Sequence, residues 1–220
     1  MEAQELKGMG GRVVGIDLAG SEKRDTGFCL LDLGALEAEV RILHSDEEIL
    51  EASVSSKPRV VAVDAPLSIP RGRRSIDERS PVHFRKCDLQ LRRLGIRFFP
   101  ITLGPMRMLT KRGIRIKELL ENAGMNVIEV YPGGAQDVLG IPRKSRGLEE
   151  LRRGLEKLGI KGLRPDMTGD ELDAVTAAYV GMLYIRGEYT ALGDPDEGLI
   201  IMPPIPRGWR PGKQLSNYGR

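Results

Sequence analysis

Val13-Val14-Gly15-Ile16-Asp17 is a run of apolar and small residues closed by a carboxylate, near the start of a 220-residue chain. Such a run reads as a buried strand, because β-branched side chains pack well on a pleated surface. Ser21 to Asp25 is a polar turn, Thr26 to Leu33 reads as a second strand, and Val40 to His44 as a third. Connections this short join antiparallel neighbours, so the three form a meander. Asp46 to Ser55 follows with Ile49, Leu50 and Val54 at helical spacing, and then comes Arg59 to Asp64, almost continuously apolar. A strand apolar on both sides lies inside a sheet. A meander followed by helix and buried strand predicts an α/β domain with a mixed sheet.

Further along, Ser80-Pro81 opens a predicted helix reaching about Leu94, and Arg115 to Ala123 suggests another. Asn126 to Tyr131 is a fourth apolar strand, ended by Pro132-Gly133-Gly134. Leu148 to Leu158 reads as a helix. Thr168 to Tyr184 is the clearest one, since Thr168 and Glu171 form a capping box. Leu199 to Met202 is a short last strand. Residues 1–220 are expected to form one domain, with 71–117 a basic, mostly helical insertion and 203–220 a loosely ordered Pro/Gly-rich tail.

Composition bounds the function. With 40% hydrophobic residues, the chain has material for a core and is not of the disordered class. No apolar run approaches the roughly 20 residues that cross a bilayer, and Met1 to Arg12 has no signal-peptide core. Cys29 and Cys87 make no CxxC pair, and His44 and His83 are too few for a zinc site of the usual kind. A cytoplasmic protein without a membrane partner is the expectation. The net charge of +3 hides an asymmetry: residues 71–117 hold 14 Lys or Arg against Asp77, Glu78 and Asp88. That segment carries +11 and the remainder −8. A basic block in an otherwise acidic chain fits a polyanion, nucleic acid first, although a solvated helical face has the same composition.

The acids are placed where acids are costly. Asp17 and Asp64 end apolar strands, Glu129 lies within one, and Asp170 and Asp173 share a face of the last helix above Ala177, Val180 and Tyr184. A buried charge needs a partner, and their sequence neighbours supply none. Clustered carboxylates without His or Cys suit Mg²⁺ or Mn²⁺. Asp170 also has a plain reading as a first-turn acid stabilised by the helix dipole, and Glu129 as a strand acid satisfied locally. In the insertion, Arg85 and Asp88 have the spacing of an ion pair, while Arg85, Arg92 and Arg93 are candidates for nucleic acid or for a surface salt-bridge ladder. Phe98-Phe99-Pro100 reads as a core anchor.

An acid on the first meander strand, another after the first helix, and Asp170-Glu171-Leu172-Asp173-Ala174 together resemble the RNase H-like nucleases. The acidic helix is similar to that of the Holliday-junction resolvase branch. The whole chain resembles an uncharacterised prokaryotic family of predicted nucleases of the RNase H fold. Segments 13–21, 60–66, 85–96, 127–134, 170–174 and 197–203 carry that resemblance. It implies an RNase H-like mixed sheet, an antiparallel three-strand meander plus parallel strands, flanked by helices. It also implies a phosphodiester-cleaving site with two Mg²⁺ or Mn²⁺ ions, in which Asp17 bridges both ions, Asp64 or Glu129 is the second-strand ligand, and Asp170 and Asp173 complete the set. The resolvases carry Glu, not Asp, at the position of Asp64, so the choice between Asp64 and Glu129 stays open. Two other classes remain: a nucleic-acid or protein binding module of the same fold without catalysis, and an ATP-dependent phosphotransferase, which lacks here the second hairpin domain that clasps nucleotide.

Overall fold

The computed structural model describes residues 10–212. Seven strands form one mixed sheet in the order β3-β2-β1-β4-β5-β7-β6. Their ranges are Arg12–Asp17 (β1), Thr26–Asp32 (β2), Glu37–Leu43 (β3), Val60–Asp64 (β4), Val127–Val130 (β5), Thr190–Asp194 (β6) and Gly198–Met202 (β7). The meander β1-β2-β3 is antiparallel, β4, β5 and β7 run parallel to β1, and β6 closes the edge antiparallel to β7. The antiparallel meander with parallel strands beside it is the sheet that the resemblance implied.

Among the described residues, six α-helices flank the sheet: Asp46–Ser56 (α1), Lys86–Leu94 (α2), Gly104–Asn122 (α3), Pro132–Leu139 (α4), Leu148–Lys157 (α5) and Gly169–Ile185 (α6). Two-residue alternation along β1 sends its side chains into two cores. Val14 and Ile16 join Ile49 of α1 and Ile116 and Leu120 of α3. Val13 faces the opposite core, built on α6, with Leu151 and Leu155 of α5. A third cluster seats α2, through Cys87 and Leu91, on Leu192, Ile200 and Met202. Among the described residues, no helix is long and apolar enough to cross a membrane.

Several elements depart from the sequence expectation. α2 starts at Lys86 instead of Ser80, because residues 65–85 run as loop and turn, held by hydrogen bonds such as those from Arg73 to the Val82 and Ile76 carbonyls. α3 starts eleven residues before Arg115, with Pro105 in its first turn. Pro132-Gly133-Gly134 does end β5, but it also opens α4, where Pro fills a position whose N–H needs no partner. β6 was not foreseen. Phe98 packs on the third cluster, as expected of an anchor, whereas Phe99 is 71% exposed. The tail is docked as far as Trp209, which is buried in that same cluster. Residues 213–220, and the N-terminal stretch 1–9 read above for targeting signals, lie outside the described residues.

α6 lies unusually close to the meander. A Cβ at Gly15 would collide with the Ala174 carbonyl oxygen, and one at Gly27 with the Asp170 carbonyl. Backbone cannot yield as a flexible side chain does. Gly15→Ala is therefore expected to cost about 3 kcal/mol, the upper end of overpacking. Urea unfolding measures this, and a loss below about 0.5 kcal/mol contradicts the close approach.

Candidate active site

Asp17 and Asp64 are the last residues of β1 and β4 and lie opposite each other in the parallel register. Residues so paired point to the same face of the sheet, about 4.8 Å apart along the hydrogen-bonding direction. The first turn of α6 crosses that face, because Gly15 and Gly27 admit its backbone, and brings Asp170 and Asp173 to the end of β1. The Thr168 hydroxyl accepts from the Glu171 N–H and the Glu171 carboxylate accepts from the Thr168 N–H, which fixes where the helix begins.

Three of these carboxylates meet on one cation. Lys144 Nζ lies 3.2 Å from Asp17 Oδ2, 2.9 Å from Asp170 Oδ1 and 2.9 Å from Asp173 Oδ2. The other oxygen of Asp173 accepts from Gln136 Nε2 at 2.6 Å, and Gln136, fully buried on α4, also donates to Thr176. Asp64 has no hydrogen bond or ion pair to a side chain among the described residues. Burial pushes the Asp17 carboxyl up to about 7, against the pull of Lys144 and with Asp173 and Asp170 adding to the rise. Asp64 is raised well above the ordinary range, by burial first and then by Asp17 and Asp173. Burial alone would lower Lys144, but Asp17 and Asp173 outweigh it and hold the ammonium charged.

Glu129 is not part of that group. Its two oxygens accept from Arg85 Nη1 and Nη2, each at 2.7 Å, and Oε2 accepts from the Leu67 N–H at 2.8 Å. Burial raises its pKa while Arg85 opposes the rise. Arg85 also donates to both oxygens of Asp88 and to Ser68, so the pair expected from spacing exists, extended into a buried network. At 1% exposure, Arg85 presents no surface to nucleic acid. The phosphate contact expected of it is corrected to an internal one: desolvating a guanidinium is tolerated because two carboxylates surround it. Arg92 and Arg93 are exposed at the end of α2, and neither makes an ion pair among the described residues. Arg92 lies over the Phe84 ring, 4.9 Å from its centroid.

Lys144 and Gln136 were missed from the sequence. Lys144 sits in a polar Pro-Arg-Lys-Ser-Arg stretch that reads as solvated surface, and Gln136 lies just beyond a Pro-Gly-Gly stop. Only long-range packing reveals either. With Lys144 among the carboxylates, no group of three or more His, Cys, Asp or Glu among the described residues is placed to hold a metal ion. The donor chemistry still fits one: the acids offer only oxygen, the preference of Mg²⁺ and Mn²⁺, and the Asp64 carboxylate stands without a partner beside Asp17.

A family model described as a protein of unknown function, DUF429, matches residues 15–198, and the chain belongs to that family. Among solved structures, RuvC of Thermus thermophilus is similar at 16% identity and a TM-score of 0.45, over 80% of this chain and 96% of that one. RuvC of the same organism in complex with a Holliday junction substrate is similar at 17% identity, with the same TM-score and coverage. No curated protein matches the chain.

The raised Asp17 carboxyl contributes to the pH dependence of the metal-free protein. Its pKa is about 7 folded against an ordinary 3.8, so its contribution is fully present below about pH 4 and is lost as pH rises through 7. Asp17→Asn is expected to stabilise the metal-free protein at pH 8, on the order of 2 kcal/mol, and to change little at pH 4. Denaturant unfolding at the two pH values checks this. A destabilised variant at pH 8 contradicts it.

Proposed function

We propose that the protein is a metal-dependent nuclease that hydrolyses phosphodiester bonds of nucleic acid at Asp17, Asp64, Asp170 and Asp173. The observation that carries this reading is the convergence of Asp17, Asp170 and Asp173 on one cation, with Asp64 paired beside Asp17 in the sheet register, in a chain whose segment 71–117 carries +11. Acids gathered against their mutual repulsion are costly unless a cation is to be held. Mg²⁺ or Mn²⁺, when bound, lowers the pKa of water and offsets charge on phosphate oxygens.

The chain's own groups divide the remaining work. Asp17 and Asp64 would hold the ion, and Asp170 and Asp173 complete the negative wall. Gln136, by donating to one oxygen of Asp173, keeps the other turned toward the cation. In this reading Arg92 and Arg93, on the exposed end of α2 and without ion pairs among the described residues, bind backbone phosphates. The water oxygen bonds to phosphorus as the bond from phosphorus to the 3′ oxygen breaks. The 3′ oxygen gains a proton and leaves as a hydroxyl, and the water loses its second proton to solvent. Cys29 and Cys87, both buried and unpaired, suit a reducing compartment, and we place the protein in the cytoplasm.

The experiment compares the protein with its Asp17→Asn variant on labelled DNA and RNA of several shapes, with Mg²⁺, Mn²⁺ or chelator. Cleavage is expected only with metal and to fall more than ~100-fold in the variant, since even a hydrogen-bond partner of a metal ligand is worth ~10–100-fold. A second reading, a binding module without catalysis, is favoured by Lys144 itself, which offsets acid charge with no ion. Salt-sensitive binding of nucleic acid without cleavage of any substrate establishes that reading instead.

A further inference from the structure

We propose that Lys144 is a built-in second cation of the site, so that the acid cluster takes one divalent ion and not two. This inference rests on the nuclease reading above. Its ground is the allocation of oxygens. Lys144 Nζ already engages one oxygen each of Asp17, Asp170 and Asp173, and Gln136 takes the second oxygen of Asp173. Among the described residues, what stays uncommitted is the pair on Asp64, Oδ1 of Asp17 and Oδ2 of the partly exposed Asp170. Asp17 and Asp64, side by side on paired strands, can supply one ion that keeps most of its waters, as Mg²⁺ prefers. A second ion would have to take the oxygens that the ammonium holds.

The lysine is seated, not adrift. It opens a short 3-10 turn, Lys144–Arg146, directly after Arg143. Arg143 is itself fastened: its Nε donates to Asp137 Oδ1 at 3.0 Å, and its Nη1 donates to Tyr131 Oη at 3.2 Å and to the Arg97 carbonyl at 3.3 Å. The stem of Lys144 passes over Gly169, where a Cβ would lie 2.8 Å from Lys144 Cδ. The missing side chain at the start of α6 thus leaves the passage by which the ammonium reaches the acids. An ammonium is a compact point charge with three donors and no capacity to ligate or activate water. It can therefore replace the charge of a second ion beside a phosphate, but not the water-activating role of the first.

The test counts ions on the full chain, with Mn²⁺ as the probe, by calorimetric titration and by electron paramagnetic resonance of free Mn²⁺. The protein is expected to bind one Mn²⁺ per chain, and Lys144→Met, which keeps the stem and removes the charge, to bind two. Lys144→Arg keeps a cation and is expected to stay at one. Since Lys144 is 43% exposed, both variants should fold, and their unfolding curves verify it. Two ions on the unaltered protein, or one ion still on a folded Lys144→Met, overturns the inference and leaves the nuclease reading standing. No Mn²⁺ on the unaltered protein, together with no cleavage, overturns the nuclease reading beneath it.

Discussion

The approach of α6 to the first hairpin is the constraint on which the site depends. Helix and sheet normally stand apart by the thickness of their side chains. Here the Ala174 carbonyl and Ala178 occupy the space over Gly15 that a side chain would fill, and the Asp170 carbonyl does the same over Gly27. Ala174, Ala177 and Ala178 keep the helix surface low where it meets the strands, and all three are fully buried. One consequence is geometric: the first turn of α6 arrives at the end of β1. Asp170 and Asp173 then face Asp17 across a gap that one lysine ammonium spans. A thicker contact would leave each acid satisfied by solvent and the cluster unmade.

Two buried or half-buried acid groups lie near one another, and the fold treats them differently. Glu129, in the interior of β5, is neutralised permanently by the fork of Arg85, which matches both carboxylate oxygens. That network also ties α2 to the loop after β4, through Asp88, Ser68 and the Leu67 N–H. Asp17, Asp170 and Asp173 share one cation, Lys144, and Asp64 has no side-chain partner among the described residues. A fully satisfied ion pair is structure. The proposed site is the incompletely neutralised group of oxygens, at the ends of parallel strands where α/β sheets carry their sites.

Much of this was legible in the chain. β1, β2, β4 and α6 are visible because apolar runs end in carboxylates and because Thr168 and Glu171 mark a helix start that the structure repeats. Asp17, Asp64, Asp170 and Asp173 stand out by the cost of their positions, and the fold gathers them at one end of the sheet. Less was legible where a residue's meaning lies in distant contacts. Arg85 looked like surface because four basic residues surround it in sequence; its burial depends on Glu129, 44 residues away. Lys144 lies 127 residues from Asp17, and nothing local separates it from a solvated lysine. Pro132-Gly133-Gly134 reads first as a strand stop, and the same residues start α4. Trp209 reads as part of a loose tail until the third cluster supplies the surface it covers.

The central claim is that these aspartates form a cation site in which Lys144 holds one position and leaves one for a divalent ion. Anomalous diffraction at the manganese edge, from crystals of the protein soaked in Mn²⁺, tests it most directly. A single peak contacted by Asp17 and Asp64 is expected, with Lys144 Nζ still bonded to Asp170 and Asp173. Crystals showing no peak near these residues, or two peaks with Lys144 expelled into solvent, would contradict it.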